Sequence, residues 1–207
     1  MPIRLCLFDM DEVLCHYDLG RRLRALSRIS GKTPRDIRAA LWDSGFEEDA
    51  DTGGYTSAEV YLAAFATRLG APITRSEWIA ARAAAMIPSK DVLELARDLG
   101  QRFQTAIYTN NGPMVKEELA ALFPEAHAAF AGRIYCSYEF STKKPDPDAY
   151  RRLLASLGVA PGETFFTDDK KSNVEGARIA GLHAYRFTGY EGLETEARRL
   201  GLIAGRP

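Results

Sequence analysis

Leu7-Phe8-Asp9-Met10-Asp11-Glu12-Val13-Leu14 closes an apolar run that begins at Ile3, and the fold turns on how this stretch is read. Ile3, Leu5, Cys6, Leu7 and Phe8 make a nearly continuous apolar segment rather than an alternating one, the pattern of a strand covered on both faces in a parallel sheet. Asp9 and Asp11 then stand at its carboxyl end. Two like charges this close are costly to hold together. A cation between them, or a division of labour between a nucleophile and a proton donor, relieves that cost. A solvated acidic loop after a strand has the same composition, so the pair alone does not separate site from loop.

Away from this stretch the period of the sequence changes. Leu19, Leu23, Leu26 and Ile29 recur at helical spacing, and Thr33-Pro34 opens a second helix with Ile37, Ala40 and Leu41 on one side. Ser57 leads a third helix through Val60, Tyr61, Ala64, Phe65 and Leu69, and residues 74–86 make a fourth. Thr74 has Glu77 three residues on, a capping-box spacing, and Pro34 suits a first helical turn. Residues 18–86 are thus expected to hold about four helices and no strand. Beyond Pro88 the two periods alternate. Helices are expected over 91–99, 115–122, 147–157, 174–180 and 192–200, and strands over 105–108, 134–137, 164–167 and 184–187. That alternation predicts an α/β fold with a doubly wound parallel sheet. The helical stretch interrupts it straight after the first strand, which predicts an inserted all-helical cap domain. The expected division is a core of residues 1–15 and 89–207 and a cap of residues 16–88.

The bulk properties bound the function. The chain has 207 residues, 46% of them hydrophobic, enough for one sizeable core and a small insertion. With 27 basic and 28 acidic residues, it has no basic surplus for nucleic acid or an anionic membrane. No apolar run approaches the length of a membrane span. The first residues enter a strand directly, without a charged leader or signal core, so a cytoplasmic location is expected. Cys6, Cys15 and Cys136 are too dispersed for a disulfide framework or a zinc site. Cys15 is a candidate nucleophile only through its neighbour His16. A monomer and a homodimer are equally compatible with the sequence.

Polar residues cluster where the strands end. Asp9 and Asp11 follow the first strand, and Thr109-Asn110 follow Thr105-Ala106-Ile107-Tyr108. Lys144 sits in Lys143-Lys144-Pro145-Asp146-Pro147 after the strand at 134–137, and Asp168-Asp169 follow Thr164-Phe165-Phe166-Thr167. Each alone fits a plain role: a turn residue, a helix cap, an exposed loop lysine. Together they mark one crevice, because ligands of open parallel sheets bind outside the carboxyl ends of the strands. Four carboxylates at one point call for a cation, and oxygen donors favour Mg2+, which pairs with phosphate oxygens. Thr109, Asn110 and the following helix N-terminus would hold a phosphoryl oxygen. Lys144 would hold an anionic substrate beside the nucleophile. Asp9 could then attack phosphorus, with Asp11 as acid and later base.

These four motifs, in this order, resemble the haloacid dehalogenase-like hydrolase superfamily over nearly the whole chain. Asp9-Met10-Asp11, Thr109-Asn110, Lys144-Pro145-Asp146-Pro147 with Tyr150, and Asp168-Asp169 continuing through Asn173, Gly176, Ala177 and Gly181 carry the likeness. The resemblance implies a Rossmann-like core, a helical cap between the first and second motifs, and magnesium-dependent phosphoryl transfer through an aspartyl-phosphate. It implies Asp9 as nucleophile and Asp11 as acid/base. The metal would be held by Asp9, the Asp11 carbonyl and Asp168, with Asp169 acting through water or as a support. Thr109, Asn110, Lys144 and Asn173 would bind substrate, a small phosphorylated metabolite. A weaker likeness points to sugar-phosphate phosphatases, including those for glucose 1-phosphate. The chain departs from the family at Glu12, where glycine is usual, at Val13, where threonine is common, and at Ser141, where glycine is frequent. Glu12 is expected to narrow the mouth of the site.

Competing functions leave different marks. Dehalogenases of the superfamily lack the second acid and need no metal, so Asp11, Asp168 and Asp169 speak against one. A phosphonatase needs a cap lysine, and only Lys32 lies well inside the cap. A phosphomutase, the main alternative, would recruit cap groups such as His16 and Arg21 or Arg22. A non-catalytic binding protein would not need the full catalytic set. Trp42, Asp43, Phe46, Glu47 and Tyr55 flank a glycine-bearing interruption between cap helices. Some of them are expected to face the leaving group, the acids suiting sugar hydroxyls better than a second phosphate.

Overall fold

Short, fully apolar strands build the centre of the molecule, as the first strand shows. The computed structural model describes residues 2–204. Strand β1 (Leu5–Phe8) is buried along its whole length. It lies between β4 (Gln104–Thr109) and β6 (Thr164–Asp168), parallel to both, with Phe8 level with Ile107 and Thr167. Strands β5 (Ile134–Cys136) and β7 (His183–Arg186) complete a five-stranded parallel sheet in the order β5-β4-β1-β6-β7. This is the α/β sheet expected from the alternation.

Because successive side chains on a strand point to opposite faces, β1 feeds two cores. Leu5 and Leu7 pack with Tyr150, Leu153 and Ala177 of helices α9 (Pro147–Leu157) and α10 (Lys171–Ile179). Cys6 and Phe8 belong to the other core, with helices α6 (Lys90–Leu99), α7 (Pro113–Leu122) and α8 (Pro124–Ala129). Helix α11 (Tyr190–Arg199) joins this second layer through Leu193 and Ala197. Helices on both faces leave only the strand ends open, and the polar motifs occupy those ends.

The inserted segment is a helical cap standing on a small ribbon. Strand β2 (Cys15–Tyr17) pairs antiparallel with β3 (Met86–Pro88), and between them run α1 (Leu19–Ser30), α2 (Pro34–Leu41), α3 (Phe46–Asp51), α4 (Ala58–Leu69) and α5 (Arg75–Ala83). The Thr74–Glu77 capping box forms, and Pro34 opens α2 behind the Thr33 cap. Two expectations fail here. The helix expected over 74–86 ends at Ala83, and Met86 is in a strand. Three-residue strands are too short to show a period of two, so the ribbon left no pattern to read. The expected interruption near Gly45 contains α3. Gly45 supplies the left-handed turn (φ 81°), and Glu47, Glu48 and Asp49 suit the positive end of the helix.

The cap is tied to the core at several points. Arg75 of α5 bonds Glu117 at 2.6 Å and also bonds Glu118, both on α7, and within the cap it bonds Glu59 at 2.9 Å. Ser137 Oγ donates to the Asp51 carbonyl at 2.6 Å. Within the core, α10 lies against the loop that carries Lys144. A Cβ on Gly176 would stand 1.9 Å from the Pro145 carbonyl oxygen, so only glycine permits this approach. Gly176→Ala should therefore destabilise the fold by about 1–3 kcal/mol, the cost of overpacking, although alanine stabilises an open helix position. Thermal melting checks this; an unchanged or higher Tm would show that the approach sets no constraint.

Candidate active site

The site begins with a buried ammonium. Lys144 is 2% exposed, and its Nζ lies 2.8 Å from Asp9 Oδ1 and 2.7 Å from Asp168 Oδ2. It also donates to the Tyr108 carbonyl at 2.9 Å. Burial pulls the lysine pKa down, but the two carboxylates outweigh it and hold the amine above its ordinary value, so Lys144 stays charged. For Asp9, 7% exposed, burial dominates and the Asp168 charge adds to it. Although Lys144 opposes them, the carboxyl is pushed up to about 7. Ions taken out of water in this way persist only when paired and hydrogen-bonded.

The neighbouring residues fix this pairing. Asn173 Nδ2 donates to both oxygens of Asp168 at 3.0 Å, and the Lys170 N–H donates to Oδ1 at 2.9 Å. Tyr150 in turn donates to the Asn173 carbonyl at 2.6 Å. Asn110 straps the lysine loop: its Nδ2 donates to the Lys144 carbonyl and its Oδ1 accepts the Lys144 N–H, at 2.8 and 3.0 Å. The side-chain amides expected to meet substrate, Asn110 and Asn173, are thus engaged with protein partners. Thr109 is buried at the end of β4, and its Oγ1 accepts from Asn111 Nδ2 at 2.7 Å. The hydroxyl proton remains for another acceptor.

One carboxylate oxygen from each of Asp9, Asp168 and Asp169 lies within 4.8 Å of the others. Three hard oxygen donors fit a magnesium or calcium ion and not a soft metal. Asp169 is only partly buried, and desolvation and the Asp168 charge raise its pKa, a strain that a cation would relieve. Asp9, Asp11, Glu12, Thr109, Asn110, Lys144, Asp169, Lys170 and Asn173 line a cavity of about 80 Å³.

Asp11 faces the cap. Its Oδ2 accepts from Arg82 Nη2 of α5 at 2.8 Å, and Arg82 also reaches Asn111 Oδ1 at 3.3 Å. Above it, a second cavity of about 250 Å³ shares Asp11, Asn110 and Lys170 with the first. Its cap wall includes Tyr17, Arg22, Trp42, Glu47, Asp51, Tyr61, Trp78 and Arg82. Of the five cap residues expected near a leaving group, Trp42 and Glu47 line it. Phe46 is instead buried against Tyr55, Tyr61 and Phe65, and Asp43 is exposed beside Arg38. Sequence reasoning missed Arg82 and the wall role of Arg22. Their signal was phase: Arg22 lies one turn before buried Leu26, and Arg82 one turn after buried Trp78.

The remaining candidates have other partners. Glu12 Oε1 accepts the Tyr17 N–H at 2.9 Å and Oε2 lies 3.1 Å from His16 Nδ1. Its carboxylate braces the ribbon, while the residue also lines the smaller cavity. Glu12 (φ 63°) and Ser141 (φ 52°) are both left-handed, which explains why glycine is the easy choice at these two positions. The Cys15 thiol is buried and pushed well above its ordinary pKa, chiefly by desolvation and by the Asp11 charge, so it is a poor nucleophile. His16 and Arg21 are exposed, and Lys32 is exposed in the α1–α2 turn; none of the three lines either cavity.

Known proteins show the family to which the chain belongs. Phosphatase MT3486 of Mycobacterium tuberculosis is 28% identical over 193 residues, covering 89% of this chain and 87% of its own. A HAD-like hydrolase structure from Porphyromonas gingivalis superposes with a TM-score of 0.76 at 24% identity, over 97% of this chain and 98% of that one. A wild-type HAD family enzyme from Bacteroides thetaiotaomicron, in complex with magnesium and inorganic phosphate, gives 0.71 at 23% identity over 89% and 93% of the two chains. The model for the haloacid dehalogenase-like hydrolases matches residues 3–181, most of the molecule and every strand-end motif described above save none, and the chain belongs to that family of enzymes.

Proposed function

We propose that this protein is a magnesium-dependent phosphomonoester hydrolase that works through an aspartyl-phosphate on Asp9. Its substrate is a small phosphorylated metabolite, a class that includes the sugar phosphates. The observation that carries this reading is the buried ammonium of Lys144 between Asp9 and Asp168, beside Thr109 and a cavity of about 80 Å³. The phosphatase of M. tuberculosis and a D-ribitol-5-phosphate phosphatase of B. thetaiotaomicron, 23% identical over 197 residues, support it. We take residues 1–15 and 89–207 as the core and 16–88 as the cap, the chain crossing between them at the β2–β3 ribbon.

The geometry supports the following roles. The free proton of Thr109 holds a phosphoryl oxygen, and Lys144, whose three N–H groups face Asp9, Asp168 and the Tyr108 carbonyl, offsets charge as it develops and reaches the phosphoryl group by exchanging one of those partners for it. A carboxylate oxygen of Asp9 attacks phosphorus in line, and the bond from phosphorus to the ester oxygen breaks. Asp11 gives its proton to the departing oxygen, releasing the alcohol. It then takes a proton from the water that attacks phosphorus and frees Asp9 and phosphate. Arg82 fixes the direction of Asp11, and Asn110 and Asn173 position Lys144 and Asp168. Asp9, Asp168, the Asp11 carbonyl and Asp169 would hold magnesium, which supplies charge neutralisation and alignment of the phosphoryl group when bound. A dehalogenase would have no use for Asp11 or for the Asp168-Asp169 pair.

Wild type should release phosphate from p-nitrophenyl phosphate only with magnesium, and Asp9→Asn should lose about a thousandfold or more. No wild-type turnover, or equal rates in the two proteins, would reject the proposal. Lys144→Met should cost about 3–5 kcal/mol of stability without metal, because two buried carboxylates lose their partner. Magnesium should then raise the Tm of this variant more than that of wild type. An equal or smaller gain would show that the lysine and the metal do not offset the same charges.

A further inference from the structure

The cavity over Asp11 has an imbalance of hydrogen-bonding groups. Arg22 is 3% exposed and Arg82 is 5% exposed. Arg22 Nε and Nη2 and Arg82 Nε are buried without a hydrogen-bond partner, three guanidinium donor atoms, against one unpartnered buried acceptor, Glu47 Oε1, while the Trp78 N–H faces the Tyr61 hydroxyl. Arg22 Nη2 and Glu47 Oε1 meet as charges at 3.5 Å without a hydrogen bond. Buried polar groups are almost always satisfied, and each unmet donor costs stability. Such a deficit inside an active-site cavity marks a place built for something that is not protein.

The Arg22 guanidinium is held in place for this task. It lies 5.1 Å from the Trp42 ring centre and 5.0 Å from that of Trp78, and its Nη1 donates to Tyr17 Oη at 3.2 Å. Arg82 rests 4.5 Å from the Tyr17 ring centre. Aromatic faces fix a guanidinium without consuming its N–H groups. A polyol brings acceptors too, but each hydroxyl also brings a donor and no charge to set against the guanidinium. A carboxylate brings acceptors only and matches the fork of an arginine. A second phosphate would bring more charge than the wall can carry, because Glu47 and Asp51 also line it. Burial and the Glu47 charge push Asp51 up to about 7, so each added negative charge here has to be met by an arginine, and Arg22 can meet the single charge of a carboxylate better than the double charge of a phosphate.

We infer that the alcohol half of the substrate carries a carboxylate, which parts Glu47 from Arg22 and docks on the Arg22 guanidinium between Trp42 and Trp78. The inference rests on the phosphatase reading and names the substrate class within it: phosphate esters of small hydroxy acids.

The test compares phosphoglycolate and phosphoglycerate with hydroxyethyl phosphate and glycerol phosphate, each acid matched to the alcohol of equal length. Wild type should favour the acids in kcat/KM by roughly tenfold to a hundredfold, the worth of one charged hydrogen-bonded contact. Arg22→Gln should reduce that ratio to near one, mainly through the KM of the acids, and Arg22→Lys should restore part of it. A ratio within one protein is insensitive to general loss of activity or of folded enzyme. Binding is read separately in Asp9→Asn with magnesium. The only two tryptophans of the chain flank Arg22, so the acids should change the fluorescence at lower concentration than the alcohols. Turnover without preference for the acids, or a preference that survives Arg22→Gln, overturns the inference and leaves the phosphatase reading standing. No turnover of any ester, p-nitrophenyl phosphate included, rejects the phosphatase reading. The titration then decides alone: tighter binding of the acids supports the carboxylate site, and equal or absent binding overturns it.

Discussion

A lysine ammonium sealed between two carboxylates is the constraint on which the rest of this structure depends. Lys144 is held by Asp9 and Asp168 at 2.8 and 2.7 Å, with almost no exposure to solvent. Such a group costs more to bury than its ion pairs return unless every remaining hydrogen bond is satisfied. The fold meets that condition from the ends of two strands and the segments that follow them. β4 supplies the Tyr108 carbonyl, the loop after it supplies Asn110, β6 supplies Asp168, and α10 supplies Asn173. The parallel sheet thus places charges that would repel or be stranded anywhere else.

The same economy explains the family's departures in this chain. Glu12 and Ser141 hold left-handed backbone where glycine is favoured, and Glu12 offsets its strain by bonding the Tyr17 N–H and meeting His16. Gly176 is retained where the lysine loop crosses α10, because a side chain there would strike Pro145. Strain is tolerated at the rim of the site and avoided under its buried charge. The cap repeats the pattern in a second layer, with Arg82 on Asp11 and Arg22 between two tryptophans.

Much of this was legible in the sequence, for physical reasons. β1 is a short apolar run ending in two acids, and the strand-end rule gathered Asp9, Thr109, Lys144 and Asp168 without knowledge of their contacts. The ribbon of β2 and β3 was not legible, because three residues cannot display a period. Helix α3 was hidden by the glycines on either side of it. Arg22 and Arg82 share the phase of the buried Leu26 and Trp78, but a charged residue on an apolar face does not by itself show which partners it meets. Asn110 and Asn173 line the smaller cavity, but a sequence does not show that their amides are already bonded to the protein.

The central claim is that Asp9 receives the phosphoryl group before water does. The most direct measurement is the stereochemical course at phosphorus when wild type hydrolyses a chirally labelled phosphate ester. Two successive in-line displacements, first by a carboxylate and then by water, predict net retention of configuration. Net inversion would mean that water attacks the substrate directly, and would contradict the assignment of Asp9 as nucleophile.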